Sequence, residues 1–417
     1  MIKNSLSIAV TVAALSLSLS QTARAEFIKD SKASLEARNF YFSRDFRQEG
    51  ATQSKREEWA QGFILRMTSG YTEGTVGVGL DTIGMAGFKL DSGSGRAGSD
   101  LLVPDRSGGS QDYSYDLAVA AKAKISNSTL RVGSMQFKNM AIASSDGRLT
   151  PQVFSGGHLV SQEIDGLTVD GGYLSEVNHR NSGDFEDIGM TVGGRRGLVV
   201  TDSSLSDSFR FLGGSYKFTK ELTAGYYYSN LEDLYKQHSL NLVHVLPLSN
   251  GHSLKTDLRY ARSTDDGRSN VDNKAFGAMF TYGFFGHSIG FGYQKMSGDT
   301  GFAYINGTDP FLVNYVQIGD FANKDETSWQ ARYDFNFASV GIPGLTFMTR
   351  YLTGDNIDLG AAGTGKEWER NTELMYVFQE GTLKNLGICW RNATVRSNFS
   401  NEIDENRLII SYTLPLL

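Results

Sequence analysis

Hydrophobic and polar residues alternate without interruption over residues 328–337. Side chains of a β-strand point to opposite faces with a period of two, so the pattern predicts a strand with one apolar and one polar face. Residues 341–344 have the composition of a turn, and a second alternating run over 345–351 completes a predicted hairpin. Aromatic residues lie at the run ends, as in strands that cross an outer membrane around a wet interior: Trp329, Phe337 and Tyr351.

The same alternation recurs along the chain and predicts about eighteen strands. It is clearest in six further runs: 75–81, 222–228, 254–259, 288–294, 372–379 and 407–414. No change of composition or charged linker marks a domain boundary. We therefore expect residues 26–417 to form a single all-β fold, a transmembrane antiparallel β-barrel with inward-folded constriction loops.

Short and long connections alternate between the predicted strands. Short ones are expected at 126–128, 165–166, 249–251 and 341–344. Long ones are expected at 84–112, 136–156, 176–206, 263–272, 298–326, 354–366 and 397–403. Tight turns at one rim and long loops at the other are typical of outer-membrane barrels.

Residues 1–25 have the pattern of a signal peptide. Lys3 precedes an apolar stretch over 6–19, and Ala23-Arg24-Ala25 supplies a cleavage motif of small residues. A membrane anchor fits less well, because the apolar stretch is short and rich in serine. We expect export, with Glu26 as the first mature residue.

Charge and cysteine content exclude several kinds of protein. The formal charge of −6 becomes −8 without residues 1–25, which contain Lys3 and Arg24 but no acid. An acidic chain argues against nucleic acid as a partner. Cys389 is the one cysteine, so there is no internal disulfide, and no zinc-binding spacing occurs. We expect no cofactor and no metal.

One long connection is predicted to fold into the barrel. Residues 135–157 carry more apolar side chains than a solvated loop, with Arg148 at the polar centre of the segment. The alternative is an ordinary extracellular loop. The loop at 298–326 is also rich in aromatic residues and is a second candidate to fold inward.

Closure of the barrel brings four arginines towards one wall. Arg44 and Arg56 belong to the first two strands, and Arg391 and Arg407 belong to the last two. A column of guanidinium groups in an aqueous passage attracts anions and grips carboxylates in bidentate fashion. The alternative is that inward arginines brace the barrel by pairing with inward acids, for which the candidates are Asp257, Asp334 and Glu373.

Catalytic patterns are weak in this chain. Its six histidines are scattered and lie in no HExxH or GxSxG neighbourhood. Asp265-Asp266 indicates a polar turn rather than a calcium loop. Arg195-Arg196, in a glycine-rich stretch, is expected to be solvated or to bind lipopolysaccharide.

Several long segments carry a family resemblance. The strongest are ASLEARNFYFSRDF (33–46), KREEWAQGF (55–63), GYTEGTVGVGLD (70–81), SSDGRLTPQ (144–152), LEDLYKQHSLN (231–241), SWQARYDFNFASVGIPGLTFMTRY (328–351) and ENRLIISYTLPLL (405–417). With them the chain resembles the outer-membrane carboxylate channels, the OprD-type porins, over nearly its whole mature length. The resemblance implies an eighteen-stranded channel, usually monomeric, with inward-folded third and seventh loops and a ladder of basic residues.

The resemblance also implies roles for individual residues. Arg44, Arg56, Arg148, Arg391 and Arg407 match ladder or constriction positions, and Asp309 matches an acidic position of the seventh loop that faces them. Met375 and Cys389 stand where the family often has basic residues. These two departures imply a thinner ladder and a weaker preference for anions.

The sequence thus favours a passive, substrate-selective channel for small carboxylates, with aromatic or cyclic acids as the implied class. We expect it in the outer membrane of a Gram-negative bacterium, as a monomer in contact with membrane lipid and lipopolysaccharide. A general trimeric porin is the main alternative. An outer-membrane hydrolase is less favoured, and so is a fatty-acid channel, since no plug precedes the first strand.

Overall fold

The structure is a computed structural model that describes residues 27–48 and 51–417. The predicted signal peptide, residues 1–25, and its cleavage point before Glu26 lie outside the described residues. Within the described ranges no helix combines the length and apolar character needed to cross a bilayer.

The described chain forms twenty β-strands and three short 3-10 turns. The strands are β1 (Lys32–Phe46), β2 (Lys55–Thr68), β3 (Gly77–Asp91), β4 (Tyr113–Ile125), β5 (Ser128–Met135), β6 (Val153–Ser161), β7 (Leu167–Asn178), β8 (Ile188–Gly189), β9 (Leu205–Ser206), β10 (Phe209–Lys217), β11 (Leu222–Leu231), β12 (Tyr235–Pro247), β13 (Ser253–Asp265), β14 (Asp272–Phe284), β15 (His287–Ser297), β16 (Thr327–Asn336), β17 (Leu345–Asp358), β18 (Thr364–Val377), β19 (Leu386–Ser397) and β20 (Ile403–Pro415). The 3-10 turns are Ser249–Gly251, Phe337–Val340 and Gly360–Ala362.

Eighteen of these described strands form one closed antiparallel sheet. Each barrel strand pairs with the next barrel strand in the chain, so that β7 pairs with β10. Strand β20 pairs with β1 and closes the barrel. Strands β8 and β9 form a separate two-stranded ribbon inside the connection between β7 and β10. The prediction of an all-β barrel with about eighteen strands is confirmed.

The alternating pattern places apolar side chains outside and polar ones inside, as predicted. On β16, Trp329 is 43 % exposed on the outer face, whereas the neighbouring Ser328 and Gln330 are buried. Arg332 and Asp334 share the inner face with Gln330 and form an ion pair there. The pair remains about one-third exposed, so water reaches this part of the lumen.

The two rims differ as the sequence predicts, although several loop boundaries were wrong. Turns at one rim have two to eight residues, and the other rim carries the long loops 92–112, 136–152, 179–208 and 298–326. Three connections expected to be long are short: 266–271, 359–363 and 398–402. Strand β3 likewise extends to Asp91, into the loop expected from residue 84. In β13 the backbone pairing continues through the polar residues 263–265, beyond the end of the apolar–polar alternation. In β3 the alternation itself continues, since Phe88 and Leu90 are exposed on the outer face.

Long loops fill part of the barrel interior. Phe137 and Ile142 of loop 136–152 are buried in one cluster with Ile305 of loop 298–326. Ile188 from loop 179–208 joins the same cluster, as do inward side chains of β6, β7 and β10. The inward folding predicted for two loops is confirmed, and the loop at 179–208 packs against both of them.

Candidate functional site

Loop 136–152 crosses the interior of the barrel and reaches β1 and β2. The backbone oxygen of Arg148 accepts a hydrogen bond of 2.7 Å from the Arg38 guanidinium on β1. Leu149 packs so closely on β2 that a Cβ at Gly62 would lie 2.9 Å from its Cγ. Glycine alone leaves that space, so the sequence of β2 is matched to the loop that lies on it.

Loop 298–326 is attached to the wall formed by the last strands. The Gln317 side-chain amide donates to Oε1 of Glu405 on β20 at 3.0 Å. The backbone N–H of Gly319 donates to Oε2 of Glu369 on β18 at 2.7 Å. Both acceptors are buried carboxylates, and the loop therefore lies directly beside the inward face of β18 to β20.

Three arginines converge on the ring of Phe42 on β1. The guanidinium carbons of Arg148, Arg44 and Arg407 lie 5.2, 5.4 and 5.6 Å from the ring centroid. Glu405 is fully buried and accepts hydrogen bonds of 2.7 Å from Nε of both Arg44 and Arg407. We call Arg44, Arg148 and Arg407 the arginine cluster.

Strand register explains why this cluster forms. In the pairing of β1 with β20, Phe42 lies opposite Arg407 and Arg44 lies opposite Glu405. All four residues occupy the inward face, because they are separated by two positions on each strand. Barrel closure thus brings Arg44 and Arg407 together from the first and last strands. The inward loop 136–152 adds Arg148.

No carboxylate among the described residues lies within 4.0 Å of the Arg148 guanidinium. Its guanidinium donates to the backbone oxygens of Ser99 at 2.9 Å and Gly147 at 3.0 Å. Burial, together with the positive charges of Arg407 and Arg180, lowers the pKa of Arg148 well below its ordinary value. An anion that approached this guanidinium would favour its charged form.

Arg56 extends the arginine cluster by one strand. It lies opposite Arg44 in the pairing of β1 with β2, and its guanidinium carbon is 5.3 Å from the Phe46 ring centroid. Its Nε donates to the side-chain oxygen of Gln53 at 3.2 Å. Across the ranges described here, no acidic group lies within 4.0 Å of this guanidinium.

Arg391 extends the cluster on the other side. It lies opposite Arg407 in the pairing of β19 with β20, and its Nε is 2.5 Å from Oε2 of Glu373 on β18. Its side chain is 36 % exposed, whereas that of Arg407 is 3 % exposed. An ion in the lumen can therefore reach Arg391 more directly than Arg44 or Arg407.

Asp309 is placed differently from the arginines. It connects the two inward loops, since its backbone N–H donates to the Ala143 oxygen at 3.0 Å and its carboxylate accepts from Tyr315 at 2.9 Å. Burial and the adjacent Asp309 raise the pKa of Tyr315, so this hydroxyl remains a donor. No ion pair joins Asp309 to an arginine within the described part of the chain.

The proposed alternative, that inward arginines pair with inward acids, also holds for part of the lumen. Arg259 pairs with Asp257 at 2.8 Å, and Arg332 pairs with Asp334 at 2.7 Å. Each of these pairs lies on one strand, two residues apart and on one face. Glu373 pairs across strands, as described above. All three acids named from the sequence have an arginine partner.

The expectation for Arg195-Arg196 was wrong for the second residue. Arg196 is buried, forms an ion pair with Asp320 of loop 298–326 and lies 5.5 Å from the Tyr304 ring centroid. Its partner lies 124 residues further along the chain, and no local pattern reveals such a contact. Arg196 joins loops rather than facing solvent or lipopolysaccharide.

Sequence reasoning missed two central residues of the site. Phe42 and Glu405 lie two positions from Arg44 and Arg407, so alternation already placed them on the same inward face. That spacing could have identified both. Gln317 could not have been found in this way, because it belongs to an irregular loop. In residues 27–48 and 51–417, no group of three or more His, Cys, Asp or Glu side chains has a metal-binding arrangement.

Comparisons with known proteins agree with the barrel fold. A family model described as "outer membrane porin, OprD family" matches residues 25–416. The porin-like protein GalP of Pseudomonas putida is 38 % identical over 412 residues, which cover 97 % of each chain. The crystal structure of Pseudomonas aeruginosa OpdQ is 61 % identical with a TM-score of 0.88, covering 94 % of this chain and all of that one. A BenF-like porin from Pseudomonas fluorescens is 40 % identical with a TM-score of 0.89 and the same coverage.

Proposed function

The chain belongs to the OprD family of outer membrane porins, and we propose that it admits small carboxylate-bearing molecules by passive diffusion. Members of this family are channels of the Gram-negative outer membrane and not enzymes. The finer proposal is a selective path along Arg56, the arginine cluster and Arg391. The proposed substrates are aromatic or cyclic acids of the benzoate type, the class that the sequence resemblance implies.

One observation carries this proposal: in the described part of the chain, the three guanidinium groups of the arginine cluster have a single carboxylate partner, Glu405. The excess positive charge lies on one side of the lumen, where it lowers the energy of an anion. Glu405 also weakens the site, because it already occupies hydrogen bonds of Arg44 and Arg407. A channel needs binding of moderate strength at several positions, since one tight site would retain the substrate.

The arginines differ in the part they can play. Arg391 is accessible from the lumen, and we propose that it receives the carboxylate directly. Arg407 and Arg148 are buried, and we propose that they act on the ion mainly through their charge. Asp309, which we expected opposite the ladder, is proposed to hold the two inward loops together and thereby to set the width of the passage.

The proposal also covers the assembly and surroundings of the channel. We propose that the protein is a monomer, the assembly that the sequence resemblance implies. Its outward aromatic and aliphatic side chains would contact lipid, with lipopolysaccharide at the long-loop rim. Conductance in single steps from purified protein would support a monomer, and steps in threes would favour the trimeric alternative.

The decisive experiment compares Arg391→Ala with Arg332→Ala in planar bilayers. Both side chains are inward, similarly exposed (36 % and 38 %) and paired with an acid, but only Arg391 adjoins the arginine cluster. Loss of a charged hydrogen-bonding partner should weaken block of the ionic current by benzoate about tenfold in Arg391→Ala. Arg332→Ala should change it by less than about twofold. Equal effects in the two variants, or no block in the unmodified channel, would contradict the proposal.

A further inference from the structure

Directly beside the arginine wall, the structure assigns a second, apolar subsite that recognises the non-polar body of the substrate. We propose that Met375, Cys389 and Ile409, here called the apolar row, contact this body while the carboxylate lies at Arg391. The inference rests on the proposed function and deepens it. It makes the channel selective for monocarboxylates with an apolar end.

Strand register places the apolar row next to the arginines. Met375 lies opposite Cys389, and Cys389 lies opposite Ile409. Arg391 and Arg407 lie opposite each other two positions further along the same two strands. Residues two positions apart on a strand share a face and are separated by about 7 Å. The row therefore lines the lumen one step closer to the short-turn rim.

Two members of the apolar row are accessible from inside the barrel. Met375 and Ile409 are half-buried although they face inward, so solvent reaches them through the lumen. Cys389 lies between them and is 8 % exposed. A thioether, a thiol and a branched alkyl group offer polarizable contact surface and no strong hydrogen-bonding group.

The next basic residue in this direction is not free to receive an anion. Arg38 lies on β1, opposite Ser411 of β20 and beyond the apolar row. Its guanidinium already contacts Glu36 and Asp146, each at 2.8 Å. A carboxylate bound at Arg391 therefore has the apolar row beside it for about 7 Å towards the short-turn rim. Beyond the row, the positive charge of Arg38 is already paired with two acids.

This spacing discriminates between acids of similar shape. A benzene ring with one carboxylate can place its charge at Arg391 and its ring against Met375 and Ile409. A ring with a second carboxylate in the para position would bring that charge against the apolar row, where it would lose water without gaining a partner. Monocarboxylates should therefore bind more tightly than dicarboxylates, although a dianion is attracted more strongly by the arginines.

The test uses benzoate and terephthalate as probes with the full mature chain in planar bilayers. The dissociation constant of each acid follows from the concentration dependence of current block. The unmodified channel should bind benzoate about tenfold more tightly than terephthalate. In Met375→Lys this ratio should fall by about tenfold or invert, because the new ammonium group can receive the second carboxylate.

Two further variants make the result specific. Met279→Lys is the matched control: Met279 also faces inward and is half-buried, but it lies on β14, opposite Asp257 and away from Arg391. It should leave the benzoate-to-terephthalate ratio within about twofold of the original. Met375→Gln keeps the length of the side chain without adding charge, and it should also lower the benzoate-to-terephthalate ratio. It replaces Met375→Lys in the test if that variant fails to fold.

Each outcome has one interpretation. If neither acid blocks the unmodified channel, the proposed carboxylate function fails, and the apolar subsite fails with it. If both acids block but terephthalate binds as tightly as benzoate, the carboxylate function stands and the apolar subsite is wrong. The subsite is equally wrong if Met279→Lys shifts the ratio as much as Met375→Lys.

Discussion

Two regions of the lumen use the same short pattern, an acid and an arginine two positions apart on one strand, with different results. At Arg332–Asp334 the pair is complete in itself, and both charges remain about one-third exposed. At Glu405–Arg407 the acid also binds Arg44 of the adjacent strand, and both members of the pair are almost fully buried. The neighbouring strand, and not the local pattern, decides whether a pair is neutral or leaves positive charge.

The largest predicted difference between the two regions is in stability. Glu405→Gln leaves the buried guanidinium of Arg407 and the half-buried one of Arg44 without their carboxylate, and it should lower the free energy of unfolding by about 3–5 kcal/mol. Asp334→Asn removes one member of an exposed pair and should cost about 1 kcal/mol or less. Urea unfolding of the folded barrel in detergent, followed by gel mobility, measures both. If the two variants lose similar free energy of unfolding, burial of Glu405 does not increase the cost of removing its charge.

A smaller difference is expected for the aromatic rings beside the arginines. Phe42 faces three guanidinium groups at 5.2–5.6 Å, whereas Phe311 of loop 298–326 faces only Arg259, at 4.1 Å, among the described cation–ring contacts. Phe42→Leu should cost about 2 kcal/mol and Phe311→Leu about 1 kcal/mol, because the number of cation–π contacts differs. The same unfolding assay measures both costs. A larger cost for Phe311→Leu than for Phe42→Leu would contradict the arrangement of the arginine cluster around Phe42.

The smallest effect concerns the selectivity for simple ions. Arg44→Gln removes charge from the wall with excess positive charge and should lower the chloride-to-potassium permeability ratio by about twofold. The paired substitution Arg332→Gln with Asp334→Asn removes equal and opposite charges and should leave the ratio unchanged. Reversal potentials in a KCl gradient at low salt measure the difference, which should shrink near 1 M salt. A larger shift from the paired substitution would refute the comparison.

Much of the fold follows from the sequence, because alternation is a local property. The identity of the faces, the number of strands and the inward folding of loop 136–152 all follow from residues close together in the chain. Strand ends were less predictable. Backbone pairing continues into polar segments such as 263–265 of β13, where no apolar pattern marks a strand.

The candidate site was predictable only in part. Because side chains alternate between the two faces of a strand, the sequence placed Arg44, Arg391 and Arg407 on the inward face and therefore near one another. Whether each is paired depends on contacts such as Arg44 with Glu405, 361 residues apart, which exist only once the register of closure is known. Arg196 illustrates the same limit, since its burial depends on a distant loop.

The seam between β1 and β20 has a consequence for biogenesis. Arg44 and Glu405 come from the first and last strands of the barrel, so their ion pair can form only once these two strands are paired. An intermediate that has inserted its hairpins but not yet joined β1 to β20 would lack this ion pair, and with it the complete arginine wall to which we assign selectivity. Selectivity and correct closure would thus be acquired in the same folding step.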